Sequence, residues 1–169
     1  MQNRPSFFIS MDESQKKQAW ISSLRLLAAS PKTRRELAGK LADKGYAELV
    51  IKETLDRLEK QGVLSDKAYA ENLLNRFAEI QPSGKRKIAF EMKRRGVPAK
   101  IQEEVLNRVG AGEELARAKE LAIGRWERFG NLDREKRKKR VYDFLIRRGF
   151  DYQLSRDLVE AFATGEHHA

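Results

Sequence analysis

Lysine and arginine clusters are the side chains of this chain whose types and spacing could act on a partner. They occur in two stretches, each with one basic group at its beginning and another at its end. Dense cations bind phosphates or carboxylates, so we interpret the clusters as candidate contacts for an extended polyanion or an acidic groove. The alternative is a solvated helix face, because both residue types are good helix formers. The candidates are Lys85, Arg86, Lys87, Lys93, Arg94 and Arg95 in the first stretch, and Lys136, Arg137, Lys138, Lys139, Arg140, Arg147 and Arg148 in the second.

No pattern for catalysis or metal binding accompanies these clusters. The sequence has no cysteine, which excludes a disulfide framework, a zinc–thiolate site and a thiol nucleophile. It also lacks a glycine-rich phosphate loop, a nucleophile elbow and a helical zinc motif. His167 and His168 stand near the C-terminus with no third ligand nearby, which is typical of a frayed terminus. We therefore predict a protein that is not an enzyme, with no catalytic residue, metal or cofactor.

The bulk composition favours an anionic partner and argues against a membrane. The net charge is +10 and the isoelectric point is near 9.9, a balance that suits binding to nucleic acid or to acidic protein surfaces. No run approaches the roughly 18 apolar residues of a membrane span, and the first residues do not resemble a secretory signal. We expect a cytoplasmic monomer that does not enter a membrane.

Three glycines mark a pattern that repeats along the chain and that would position the cations. Gly45, Gly96 and Gly149 lie 51 and 53 residues apart, each after a basic residue and before an apolar one. Apolar residues stand four and eight positions before each glycine, which indicates one face of a helix, and the glycine indicates its left-handed end. The apolar positions are Leu37, Leu41 and Tyr46, then Ile88, Met92 and Val97, then Val141, Leu145 and Phe150.

A helical stripe precedes and another follows each glycine-ended helix, so the sequence predicts three tandem repeats of three helices. We predict an all-α fold without strands and an elongated molecule, straight or curved. Thr33 and Glu36 form a predicted capping box, and Asp151 is a predicted N-cap. The tryptophan, tyrosine and phenylalanine residues fall on apolar stripes, so we assign them to the core. The predicted parts are an N-terminal tail at 1–10, repeats at 11–64, 65–110 and 111–163, and a C-terminal tail at 164–169.

Basic residues become more frequent along the chain. The excess of basic over acidic residues is two in 30–62, five in 85–109 and six in 134–148. Cations at the amino end of a helix oppose its dipole, so the run 85–87 costs a few tenths of a kcal/mol. Because this destabilising run of cations has no structural benefit in the sequence pattern, it favours a binding role for the two later repeats.

Three segments resemble the bacterial RecX regulatory proteins. They are 62–70 (Gly-Val-Leu-Ser-Asp-Lys-Ala-Tyr-Ala), 84–97 and 142–150, and the resemblance covers about residues 18–163. One departure concerns Gly84-Lys85, where the family usually has Gly-Pro. Proline suits the start of a helix, so this departure puts the local capping in doubt.

The resemblance implies an inhibitor of the RecA recombinase. Members of the family are tandem three-helix repeats that lie in the groove of the RecA–DNA filament, which contains single- or double-stranded DNA. They suppress strand exchange, ATP hydrolysis and co-protease activity without chemistry of their own. The resemblance thus implies a role in homologous recombination, DNA repair and the SOS response. Two alternatives stay open: a helical protein that binds DNA or RNA directly through backbone charge, and an enzyme whose site has no recognisable motif.

Overall fold

The computed structural model describes the backbone of residues 6–165 and the side chains of residues 13–165. Nine α-helices and no strand occur in this part of the chain, which confirms the all-α prediction. Three helices fall in each predicted repeat, so the tandem three-helix organisation is also confirmed. The helices are α1 (Ser6–Ala29), α2 (Arg34–Ala42), α3 (Glu48–Lys60), α4 (Asp66–Glu79), α5 (Lys85–Arg95), α6 (Ala99–Leu106), α7 (Ala111–Arg128), α8 (Arg134–Arg147) and α9 (Tyr152–Thr164).

The division into tails and repeats stays a prediction, and helix α1 begins inside the predicted N-terminal tail. Helix α1 begins at Ser6, so residues 6–10 are helical although the sequence assigns them to a tail. This stretch holds neither proline nor glycine, and nothing in it interrupts a helix. Residues 1–5 and 166–169, with the two histidines, lie outside the described residues. The repeat boundaries and the elongated shape stay predictions.

The described residues form two compact units. Unit 1 runs through Tyr69 and includes Arg95–Pro98, and unit 2 comprises Ala70–Arg94 and the chain from Ala99 onward. In unit 1, α1, α2 and α3 pack against one another. Leu37 and Leu41, the two predicted core positions of α2, are completely buried, and each such leucine contributes roughly 1.5–3 kcal/mol by leaving water. Their cluster also holds Ile51, Leu55, Leu58 and Leu64.

Unit 2 has its main core among α7, α8 and α9. Trp126 and Phe162 lie with their ring centroids 5.8 Å apart and close one side of this core. The equivalent repeat positions Val141, Leu145 and Phe150 are completely buried, as the glycine alignment predicts. The core cluster comprises Ala118, Ala122, Trp126, Val141, Phe144, Leu145, Phe150, Leu158, Val159 and Phe162. Elsewhere in unit 2, Ala70, Phe77, Ile88, Met92, Val105 and Val109 are buried.

The three repeat glycines end their helices in the left-handed conformation. Gly45, Gly96 and Gly149 have φ angles of +81°, +84° and +81°, which side chains rarely adopt. The amide of Tyr46 donates to the carbonyl of Leu41 at 3.3 Å, and that of Phe150 donates to Leu145 at 3.2 Å. These two bonds are the long bonds of a Schellman end, and all three glycines have the left-handed conformation that the sequence predicts.

A joint in unit 1 connects the start of α2 to the glycine end of α5. The Thr33 hydroxyl accepts from the amide of Glu36 at 3.2 Å, and a Glu36 carboxylate oxygen accepts from the Thr33 amide at 3.2 Å, which confirms the capping box. The same hydroxyl donates to the carbonyl of Arg95 at 2.7 Å. Asp66, in the first turn of α4, accepts from the amide of Arg34 at 2.7 Å. The carboxylate of Asp66 and the carbonyl at the end of α5 thus accept hydrogen bonds from the residues at the start of α2.

Unit 2 contains the same joint between the start of α5 and the glycine end of α8. Gly84, which stands 12 residues before Gly96 as Thr33 stands before Gly45, donates its amide to the carbonyl of Arg148 at 3.0 Å. A Cβ at Gly84 would collide with the backbone of Gly149, so this position needs glycine. Glu114, in the first turn of α7, accepts from the amide of Lys85 at 2.9 Å. Proline has no amide hydrogen, so lysine supplies a donor that Gly-Pro could not.

Candidate anion-binding surface

Helix α5 presents a basic surface because its core residues lie on the opposite side. Ile88 and Met92 are completely buried, and six of the eleven residues of the helix are basic against one acidic residue, Glu91. Arg86, Lys93 and Arg94 are exposed and Lys87 is half-buried. These four residues, Arg86, Lys87, Lys93 and Arg94, form what we call the α5 cationic face.

Contacts hold two members of the α5 cationic face in place. The Arg86 guanidinium lies 4.0 Å from the centre of the Tyr152 ring and donates to its hydroxyl at 2.9 Å. Arg94 donates through Nε and Nη2 to one oxygen of Glu91, at 3.0 and 2.6 Å. The Lys93 ammonium group has no protein partner in the described part of the chain. The face therefore combines positioned guanidinium groups with a lysine that is available to an anion.

Lys87, Arg95 and Lys85 also make contacts within the fold. The Nζ of Lys87 lies 5.9 Å from the centre of the Phe77 ring, so its stem lies along the protein although the residue belongs to the face. Arg95, in unit 1, donates to Glu36 at 2.6 Å. Lys85 is half-buried, and its backbone amide is its contribution to the joint.

Helix α8 carries a second basic surface. Val141, Phe144 and Leu145 are buried, and the exposed side carries the basic residues. Lys136 pairs with Asp133 at 2.9 Å, and Lys139 pairs with Asp143 at 3.0 Å. Arg140 and Arg147 are exposed, and neither has a side-chain partner within the residues that the structure describes. The α8 cationic face comprises Lys136, Lys139, Arg140 and Arg147.

Three of the predicted α8 residues hold the structure together. The Nε of Arg137 donates to the carbonyl of Trp126 at 2.7 Å, with the guanidinium 4.2 Å from the centre of the indole ring system. Lys138 pairs with Glu160 at 2.8 Å, and the hydrogen bond with this carboxylate raises the pKa of the lysine. Arg148 donates to the carbonyl of Pro82 at 3.2 Å. The structure thus divides the thirteen candidates into exposed cations and structural ones.

The crowded cations at the start of α5 are compensated electrically. The carboxyl end of α8 lies against this helix start and presents the negative end of a helix dipole to it, through the carbonyls of Arg148 and Gly149. The buried carboxylate of Glu114 adds a full negative charge at the first amide. The cost that the sequence suggests is therefore offset, and the case for binding depends on the exposed cations instead.

Asp133 is the N-cap of α8, and its contact with Lys136 depends on pH. Its carboxylate accepts from the Lys136 amide at 3.0 Å, and this bond, with the Lys136 side chain, lowers the pKa of the aspartate. A lowered folded-state pKa stabilises the fold above the unfolded pKa, and this stabilisation is lost as the pH falls through the folded value.

We expect an NMR titration of the Asp133 carboxyl to give a pKa below the ordinary value of about 3.9. Asp133→Asn should keep the cap and remove the titration, because asparagine is an equally good N-cap. The stability advantage of the wild type over this variant, measured by urea unfolding, should shrink between pH 7 and about pH 3. An advantage that grows on acidification would contradict the assignment.

Two aromatic residues are not in the core, contrary to the sequence interpretation. Phe90 is 63% exposed and Tyr152 is 51% exposed. Phe90 lies two positions from both Ile88 and Met92, off their i, i+4 stripe, so the spacing alone could have placed it on the outer surface. Trp20 is half-buried with the Arg57 guanidinium 4.3 Å from the centre of its ring system, whereas Trp126 is buried as predicted.

The described residues contain no group of three or more histidine, aspartate or glutamate side chains that could hold a metal ion. Among these residues there is also no helix with the length and apolar composition needed to cross a membrane. Glu114 is the residue of the site that sequence reasoning missed completely, since nothing in its local pattern indicates a contact 29 residues away.

Three family models match consecutive parts of the chain. The models of the first, second and third three-helix domains of RecX match residues 19–58, 65–106 and 112–159. The regulatory protein RecX of Chlorobium limicola is 33% identical over 156 residues, which cover 92% of this chain and 96% of the relative. That of Mycobacterium sp. (strain KMS) is 36% identical over 160 residues, which cover 92% and 87%.

Solved structures with the same fold carry the same name. The crystal structure of RecX from Lactobacillus salivarius superposes with a TM-score of 0.82 at 19% identity, over 90% of this chain and 99% of that one. A second crystal structure, of regulatory protein RecX, gives a TM-score of 0.84 at 19% identity, over 95% of this chain and 80% of that one.

Proposed function

This chain belongs to the RecX family of regulatory proteins, and from that premise we propose that it binds the RecA–DNA filament and inhibits the RecA recombinase. In this proposal the protein is a cytoplasmic monomer that acts on strand exchange, ATP hydrolysis and co-protease activity by occupying the filament groove. It performs no chemistry and needs no cofactor.

One observation supports the proposal more than any other: unit 2 exposes cations on two of its helices. Lys93, Arg140 and Arg147 have no protein partner among the described residues, and Arg86 is held at the surface by Tyr152. The filament groove presents DNA phosphates and acidic protein surfaces. Exposed cations that are not already paired gain the most binding free energy from such anionic neighbours. A rigid helical surface also loses little conformational entropy when it binds.

ATP hydrolysis by RecA on single-stranded DNA tests this function directly. We expect the protein, added below the concentration of RecA to preformed filaments, to reduce the steady-state rate of hydrolysis. Unchanged hydrolysis at every protein-to-RecA ratio would contradict the proposal.

Direct binding to DNA or RNA is the second candidate function, and the same exposed cations support it. This second function predicts tight binding to naked nucleic acid. The affinity would fall steeply as the salt concentration rises, since each phosphate contact releases a counterion. A protein of this kind would need no RecA.

A further inference from the structure

Phe90 is an aromatic side chain in a place where the fold does not need it. It lies on the outer side of α5 and is 63% exposed, while Ile88 and Met92 supply the buried side of the helix. An exposed phenyl ring orders water around apolar surface and contributes nothing to the core of unit 2. The packing of the helices therefore does not determine the residue at this position.

Basic residues occupy each neighbouring helical position on the surface of α5. Arg86 and Lys87 stand four and three residues before Phe90, and Lys93 and Arg94 stand three and four residues after it. Residues at these spacings lie beside one another on a helix. The acidic residue of the helix, Glu91, is engaged by Arg94. Phe90 thus stands at the centre of the α5 cationic face.

The combination is confined to the middle repeat. When the repeats are aligned on their glycines, the positions equivalent to Phe90 are Gly39 and Asp143. Asp143 pairs with Lys139 at 3.0 Å, so the third repeat has an acidic residue where the second has an aromatic ring. The helical scaffold of a repeat does not require this aromatic residue.

We propose that Phe90 is a stacking platform for an unpaired base of single-stranded nucleic acid. Aromatic rings stack on bases of any sequence, and nearby cations bind the phosphates on either side, which together define the usual surface for single strands. A duplex keeps the faces of its bases stacked inside the helix, so it offers phosphates but no base face on which the ring could stack. Arg86, held by Tyr152 one helical turn from Phe90, provides a positioned phosphate contact.

This inference deepens the proposed function and rests on it, because the single strand of the RecA filament would be the ligand in the cell. Naked oligonucleotides separate the two ideas, since binding to them does not involve RecA. The inference can then fail while inhibition of ATP hydrolysis by the wild-type chain still supports the proposed function.

The test compares three fluorescein-labelled probes of about 20 nucleotides, long enough to exceed one binding site. The probes are a thymidine strand, an abasic strand with the same phosphates, and a duplex, and their binding is measured by fluorescence anisotropy. Phe90→Ala and Phe90→Leu should each weaken binding to the thymidine strand about 5- to 100-fold. Binding to the other two probes should change by less than about twofold, because the phosphate contacts remain. Phe90→Trp should retain wild-type affinity for the thymidine strand.

Leu49→Ala is the matched control, because Leu49 is an exposed apolar residue at 61% on α3, and its helical neighbours Lys52 and Glu53 have opposite charges rather than forming a cationic face. This variant should bind all three probes like the wild type. An equal loss on all probes, or no loss with Phe90→Ala, would overturn the inference, as would a wild-type chain that does not prefer the thymidine strand to the abasic one. Unchanged oligonucleotide binding with weaker inhibition of RecA would assign Phe90 to a protein contact instead.

Discussion

Replacing Gly149 by alanine is expected to destabilise unit 2 by about 3 kcal/mol or more. Two effects add at this position. The residue has a φ of +81°, which is strained for any side chain, and a Cβ would run into the backbone of Lys87 across the joint between α8 and α5. In a chain of this size, such a loss lowers the melting temperature by roughly 6–12 °C.

Gly45 provides a control within the same molecule. Its φ is also +81°, but a Cβ there meets open space, so Gly45→Ala carries the conformational cost alone, about 1–2 kcal/mol. At Gly96 the Cβ meets the Arg35 side chain and no backbone atom, so Gly96→Ala should cost less than Gly149→Ala. The excess cost at Gly149 measures the close approach at the joint.

Urea unfolding followed by circular dichroism would rank the three variants, and native-state hydrogen exchange would assign the loss to α8 and α9. We expect Gly149→Ala to be the outlier. Equal losses for Gly149→Ala and Gly45→Ala would mean that the backbones at the joint are not in close contact in solution.

Charge reversal on the exposed cations should have the largest effect on function. Lys93→Glu with Arg94→Glu, and separately Arg140→Glu with Arg147→Glu, should each weaken inhibition of RecA on the order of 10- to 100-fold, because each pair replaces attraction to phosphates with repulsion. The midpoint of ATPase inhibition measures the effect, and circular dichroism checks that helical content is retained.

Lys52→Glu with Lys60→Glu is the matched control, since both lysines are exposed on α3 and the change in net charge is the same. This variant should inhibit within about twofold of the wild type, because its charges lie outside the two cationic faces. Arg95 and Lys138 are unsuitable targets, because their pairs with Glu36 and Glu160 belong to the fold. If both reversed pairs inhibit as strongly as the wild type, the two cationic faces are solvated surfaces.

Most of the fold follows from the sequence because its signals are local. The apolar pair at four and eight residues before each glycine, the cation before it and the apolar residue after it all act within one helical turn or two, and all three helix ends form as predicted. Thr33 with Glu36 is equally local. The joints, in contrast, are not local. The Lys85 amide bonds to Glu114, and Gly84 lies against the backbone of Gly149. These partners are too far apart in the sequence for a helical period to indicate them.

The candidate surface was only partly predictable for a related reason. The helical pattern places the thirteen cations on two helices or at their ends but does not show which of them contact other residues. Arg137 is anchored by Trp126 and Arg148 by a carbonyl that precedes α5, both through tertiary contacts. At Phe90 two signals disagree: its spacing places it off the buried stripe of α5, whereas aromatic residues are usually buried.

The joint between helix ends also affects the order in which the chain can be completed during synthesis. Thr33 receives its carbonyl partner from Arg95, 62 residues later, and Gly84 receives its partner from Arg148, 64 residues later. A helical protein ordinarily closes most of its contacts locally and early. Here the ribosome must add one more repeat before the starts of α2 and α5 gain these partners. A chain that ends before Arg95 leaves the Thr33 hydroxyl without its carbonyl, and a chain that ends before Arg148 leaves the Gly84 amide without its own.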